Sequence, residues 1–267
     1  MTHWRDGNAM NVYWCGKAES DVPPENNWLS VDELARLDRL RFPKRRCDWR
    51  LGRWTAKCAV ASYLNLPPER QLLAGIEIVP ACSGAPEVHI ADQPAAVTIS
   101  LSHRDGRAVC AVAPCDAQLG CDLELIEPRS DAFTADYFTD EERRVIAHAS
   151  PADRAWLVTL LWSAKESTLK ALHEGLRLDT RELRVRLEGS SARHGWNALK
   201  VFRPGGQVFH GWWQRSADIL GTLVANPLPA PPFDLWVSIR EPEGSSWTVR
   251  YHQSFFPRSP GATRFIP

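Results

Sequence analysis

The sequence predicts an α+β protein of two pseudosymmetric lobes, each a small antiparallel sheet packed with helices, and three observations lead there. Trp54-Thr55-Ala56-Lys57, running on to Leu64, returns as Trp162-Ser163-Ala164-Lys165, running on to Leu172, a separation of 108 positions. Upstream of each copy lies a helix start with capping-box spacing, Ser30 to Glu33 and Thr139 to Glu142. Between the helical stretches fall β-branched runs, Ala96 to Leu101 and Ala108 to Val112, flanking Asp105-Gly106, a turn pair that reads as a hairpin.

The elements then follow in order. Gln118 to Ile126 is a third strand, a helix runs from Arg154 to His173, and Ile219 to Ala225 is a closing strand. The first lobe is expected to cover residues 1–113 and the second 114–226, with the boundary near Ala113-Pro114-Cys115-Asp116. Pro227 to Pro232 holds four prolines in six residues, which excludes a helix or a central strand and reads as a linker. Residues 227–267 form a C-terminal extension with strand-like stretches at Phe233 to Ile239 and Ser246 to His252, to which the sequence assigns no role.

Composition narrows the function. The 267 residues are 44% hydrophobic, enough for a buried core. Lys plus Arg and Asp plus Glu are both 32, so no bulk field points to nucleic acid or a membrane surface. No run reaches the length of a membrane helix, and the polar start lacks a signal peptide's apolar core, so the cytoplasm is the expected location. Seven scattered cysteines with no C-x-x-C pair read as reduced, mostly buried thiols. Twelve tryptophans could stack on bases or sugars, but packing accounts for them better.

The chemistry concentrates in the second half. In Gly120-Cys121-Asp122-Leu123-Glu124, strand alternation puts Asp122 and Glu124 on one face, a chelate of hard oxygens suited to magnesium; a solvated polar face is the alternative. Glu166 and Lys170 share a helix face with Trp162, as a surface ion pair or as part of a site. The first-half echo positions are Cys58 and Ser62, so only one copy carries the carboxylate, as expected of one metal site formed by two lobes. Ser102-His103 ends a strand, where the imidazole can donate to a phosphate oxygen or simply face solvent. Arg36 to Arg53 holds eight basic residues, including Arg45 and Arg50, readable as a solvated helix or as a phosphate clamp.

Together these motifs resemble the larger, Sfp-type 4′-phosphopantetheinyl transferases over roughly Leu29 to Ala225. Gly120 to Glu124 is similar to that family's G-x-D-x-E, and Trp162 to Lys170 to its W-S-x-K-E-S-x-x-K, with Ser102-His103 as its S-H. The resemblance implies that fold and a magnesium-dependent transfer of 4′-phosphopantetheine from coenzyme A to a serine of an apo acyl or peptidyl carrier protein, releasing 3′,5′-ADP. It implies a monomer, with Asp122, Glu124 and Glu166 on the metal and Glu166 as candidate base. Ser102, His103 and Lys165 would contact coenzyme A at the pyrophosphate, Lys170 would help the leaving group, and Arg45 and Arg50 would grip the 3′-phosphate or adenine end. Four departures stand out: Gly84-Ala85-Pro86 lacks the family's cation, so one phosphate contact is either missing or supplied by Arg104; Arg104 itself replaces a small residue; Ser100 replaces an Asn; and the tail after Pro227 exceeds the usual family end. A magnesium-dependent hydrolase of a coenzyme A-like phosphoester or pyrophosphate, or a noncatalytic coenzyme A- or carrier-binding homologue, are the alternatives.

Overall fold

The computed structural model describes residues 9–67, 69–191 and 195–235. The first half runs β1 (Tyr13–Ala18), α1 (Val31–Arg39), α2 (Pro43–Tyr63), α3 (Arg70–Ala74), β2 (Ile76–Pro80), β3 (Pro86–Ile90), β4 (Gln93–Pro94), β5 (Val97–Arg104) and β6 (Arg107–Pro114). The second runs β7 (Gln118–Leu125), α4 (Asp131–Tyr137), α5 (Asp140–His148), α6 (Pro151–Leu172), β8 (Arg184–Ser191), β9 (Asn197–Phe202), β10 (Val208–Ser216) and β11 (Ile219–Asn226), and β12 (Phe233–Asp234) follows.

Both expected capping boxes form. Ser30 caps α1 with Glu33 answering, and Thr139 caps α5 with Glu142 answering, so each helix start satisfies two orphan N–H groups. The β5–β6 hairpin turns on Asp105 (φ 49°) and Gly106 (φ 67°), both in the left-handed region that a tight two-residue turn requires. α6 starts three residues before the expected Arg154, because Ser150 caps it and Pro151 takes the first helical position. It stops at Leu172, where His173 turns left-handed.

The strands build two main sheets, ordered β12-β1-β6-β5 and β7-β11-β10-β9-β8, with β2-β3-β4 as a separate small sheet. The sheets lie face to face between helices. On β6, Cys110 and Val112 join the core under α2, while Val109, Ala111 and Ala113 join a core between the sheets. On β11, Leu220 and Val224 lie under α6, while Ile219, Leu223 and Ala225 enter the same inter-sheet core. Burial on both faces explains why these strands read as continuous apolar runs rather than alternating ones.

The internal echo has a three-dimensional counterpart. Trp54 packs edge-on against Trp28 at 5.0 Å, and Trp162 against Tyr137 at 4.9 Å. β1-β6-β5 in one sheet corresponds to β7-β11-β10 in the other, with antiparallel pairing throughout.

The proline-rich segment is more than a linker. Leaving β11, it crosses to the first sheet, where Phe233 and Asp234 pair in parallel with Tyr13 and Trp14. The amides of Ala230, Phe233 and Leu235 donate to the carbonyls of Met10, Val12 and Trp14 at 2.7–3.0 Å. Prolines are tolerated because this is an edge strand. The strand expected at Phe233 to Ile239 is thus short in the described region; its remainder and the Ser246 to His252 stretch lie outside the described residues. Of the seven free cysteines, Cys15, Cys58, Cys110 and Cys121 are buried. No helix among the described residues is long and apolar enough to cross a membrane.

Candidate active site

The site forms where β5 of one sheet meets β7 of the other beneath α6. α6 rests directly on β7 at Gly120, where a Cβ would stand 1.7 Å from the Ser167 carbonyl oxygen and 2.8 Å from the Ala171 nitrogen. Only glycine permits that approach, and it brings α6 down onto the two carboxylates that follow. As strand alternation demands, Leu119, Cys121 and Leu123 face the inter-sheet core, and Asp122 and Glu124 face α6.

Asp122 is buried and heavily bonded. Its Oδ1 accepts from Lys170 Nζ at 2.8 Å and from Ser102 Oγ at 2.9 Å. Burial pushes this carboxyl up, but the Lys170 charge and the hydrogen bonds from Lys170 and Ser102 outweigh it, leaving the pKa below the ordinary value. Below it, Thr222 Oγ1 lies 2.8 Å from Ser163 Oγ and 2.7 Å from Ser167 Oγ, a hydroxyl network that locks α6 to β11. Lys170 Nζ also donates to the Cys121 carbonyl at 3.0 Å. Burial lowers the Lys170 pKa and the anion at Asp122 raises it, with the net shift upward, so the ammonium stays charged.

Glu124 accepts from the Trp162 indole at 3.2 Å and faces two guanidiniums, Arg129 at 3.5 Å and Arg104 at 3.8 Å. Burial first and Asp122 second raise its pKa. Glu166 sits one helical turn before Lys170 on the same face. Burial, then the charges of Asp122 and Glu124, push its carboxyl up to about 7, against the pull of Lys170.

In the structure the two strand carboxylates are engaged by the protein's own side chains. Asp122 Oδ1 and both oxygens of Glu124 are held by other side chains of the protein. Among the described residues no three His, Cys, Asp or Glu side chains stand together as a metal site. The donor chemistry nevertheless fits a hard divalent cation: Asp122 and Glu124 share one face of β7, Glu166 comes from the helix packed on that strand, and Asp122 Oδ2 is buried without a hydrogen-bond partner.

Lys165 is not part of this cluster. Its side chain is fully buried, with Nζ 2.8 Å from Glu142 Oε2 and donating to the carbonyls of Tyr137 at 3.1 Å and Thr180 at 2.9 Å. All three ammonium protons are used, which removes it from phosphate contact. Adjacent helical residues point about 100° apart, so Lys165 and Glu166 cannot share a face. Lys57 does the same in the first lobe, at 2.5 Å from Glu33 Oε2 and bonded to the carbonyls of Trp28 and Leu73. The signal was present in the sequence: both lysines and both capping-box glutamates recur in the repeat, whereas the site's carboxylate does not.

His103 also separates from the cluster. Along β5, Ser100, Ser102 and Arg104 reach β7 and the residues after it, while Ile99 and Leu101 pack into the first-lobe core, so alternation directs the exposed His103 away from the carboxylates. Arg45 is exposed on α2 without a bonded partner among the described residues. Arg50 lines a groove of about 340 Å³ with Pro24, Asn26, Leu37, Arg46 and Cys47. It donates to the carbonyls of Pro23 and Pro24, and its Nε is buried without a partner. Sequence reasoning missed Arg129, Glu127 and Thr222, which carry no motif and enter through the fold alone.

The fold and site define a two-lobed α+β protein whose second lobe carries a carboxylate and lysine cluster completed by Ser102 of the first. Residues 118–202, which hold Asp122, Glu124, Glu166 and Lys170, match the family model described as the 4′-phosphopantetheinyl transferase superfamily. The chain is similar to the 4′-phosphopantetheinyl transferase HetI of Nostoc sp., 28% identical over 150 residues, covering 55% of this chain and 61% of the relative. The match therefore spans less than two thirds of that relative's length. A solved holo-[acyl-carrier-protein] synthase of Helicobacter pylori in complex with coenzyme A is 17% identical, covering 39% of this chain and 98% of that one, with a TM-score of 0.27.

Proposed function

We propose that this protein transfers the 4′-phosphopantetheine group of coenzyme A to a serine hydroxyl of an apo acyl or peptidyl carrier protein and releases 3′,5′-ADP. The observation that carries this reading is the Asp122, Glu124, Glu166 and Lys170 cluster on the segment that matches the superfamily. Asp122, Glu124 and Glu166 would hold magnesium, which neutralises charge on a bound diphosphate.

The chain's own groups suit the remaining steps. A serine hydroxyl attacking a phosphoryl group needs a proton acceptor, and Glu166, one helical turn from Lys170 on the same face of α6, is the candidate base. A departing phosphate needs a cation that stays charged while buried, and Lys170 is kept so by Asp122. Ser102 fixes the Asp122 carboxylate from the other lobe. Arg45 and Arg50 would hold the 3′-phosphate or adenine end of coenzyme A, and His103, on the first-lobe side, its pyrophosphate. The working unit would be a cytoplasmic monomer, since its two lobes already supply both halves of the site.

Incubating the protein with apo carrier protein, coenzyme A and magnesium, with a chelator control, and weighing the carrier tests this. A mass gain of one phosphopantetheine that the chelator abolishes is expected. Unchanged carriers of both the fatty-acid and peptide types would overturn the reading, and free phosphopantetheine without carrier would indicate hydrolysis.

A further inference from the structure

Resting on that reading, we propose that Arg104 and Arg129 form the diphosphate clamp of the site and exchange Glu124 and Glu127 for substrate oxygens when coenzyme A binds. Two guanidiniums arrive from opposite lobes, Arg104 from the end of β5 and Arg129 from the segment after β7. They converge on the same two oxygens. Glu127 Oε1 lies 2.8 Å from Arg104 and 3.2 Å from Arg129, and Glu124 Oε2 lies 3.8 Å and 3.5 Å from them. This is an anion site filled by the protein's own carboxylates.

Three further facts suit it to exchange. Arg104 and Glu127 are 39% and 40% exposed, so their pairing is weak and open to a competing ligand. Arg129 has an anchor besides the glutamates, because its guanidinium lies over the Phe133 ring at 5.3 Å. Lys165 is committed to Glu142, so among the described residues the cations that face the carboxylate cluster are Lys170, Arg104 and Arg129. Guanidinium forks match phosphate oxygens bidentately, and release of Glu124 from both arginines would leave its carboxylate available to a cation.

Calorimetric titration of inorganic pyrophosphate into the full chain, with and without magnesium, tests the clamp. The double variant Arg104→Gln with Arg129→Gln should weaken binding by roughly tenfold or more. Glu127→Gln should tighten it severalfold by freeing both arginines, an effect that a structural role for the arginines would not give. Arg143→Gln, on α5 and paired with Asp140, should leave affinity unchanged. Undiminished affinity in the double variant, or no tightening in Glu127→Gln, would overturn the proposal; should the double variant fail to fold, Glu127→Gln decides alone. A carrier left unmodified by a chain whose pyrophosphate binding follows the expected pattern would count against the transferase reading and leave the clamp standing.

Discussion

Lys57 and Lys165, 108 positions apart in sequence, make the same bonds in the two lobes: each ammonium pairs with the capping-box glutamate of the preceding helix and donates to two backbone carbonyls. The glutamates are shared further, since Glu33 accepts from the Ile78 amide and Glu142 from the Val185 amide. One buried ion pair per lobe thus ties two helices to the start of a strand. Replacing Lys165 by Met leaves the buried Glu142 carboxylate without its cation and should cost about 3–5 kcal/mol in urea unfolding, and Lys57→Met should cost less because Arg53 also lies 3.8 Å from Glu33. A stable Lys165→Met that lost only pyrophosphate affinity would instead return the residue to the site.

Gly120 admits α6 to the strand below it. Gly120→Ala forces the helix away from the Ser167 carbonyl contact and should destabilise the protein by more than about 2 kcal/mol. Transfer should fall further than stability alone requires, because Glu166 and Lys170 move with the helix. Denaturant midpoints and carrier mass, measured on one preparation, separate the two effects.

The elevated pKa of Glu166 has a consequence for folding. Unfolded, the carboxyl titrates near 4.5; folded, near 7, so the folded state binds the proton more tightly. Stabilisation from the protonated group is therefore complete below pH 4.5 and lost as pH rises through 7. In chelator, wild type should lose about 2 kcal/mol between pH 4.5 and 8 through this group, after allowance for solvent screening. Glu166→Gln should remove that part of the slope, as urea midpoints at the two pH values would reveal.

The same substitution should lower the transfer rate by roughly a hundredfold or more if Glu166 is the base. Equal rates for wild type and Glu166→Gln at saturating carrier would rule out that role.

Much of this was legible in the sequence, for identifiable reasons. Ser30–Glu33 and Thr139–Glu142 announce helix starts because a cap is a local, short-range bond. Asp105-Gly106 announces a hairpin because few residues accept positive φ. The face shared by Asp122 and Glu124 follows from the period of a strand. The partners of those carboxylates were not legible, because Arg129, Trp162 and Ser102 reach them only through the packing of β5 and α6 on β7. The motif that contains Lys165 and Glu166 hid their divergence, since neighbours in a helix look alike in a linear pattern. β1 to β3 and β8 to β10 escaped because their registers are set by long-range pairing.

The strap from Leu228 to Leu235 closes a circuit. By pairing Phe233 with Tyr13, it joins nearly the first and last described strands of the chain, after both sheets lie between them. A contact spanning that much sequence gains nothing until the intervening structure exists, so it should form last in folding and report that the two sheets have come together. It also ties the two sheets by main-chain bonds: the strap leaves β11 of the second sheet and is anchored at Met10, Val12 and Trp14, at the edge of the first sheet opposite β5.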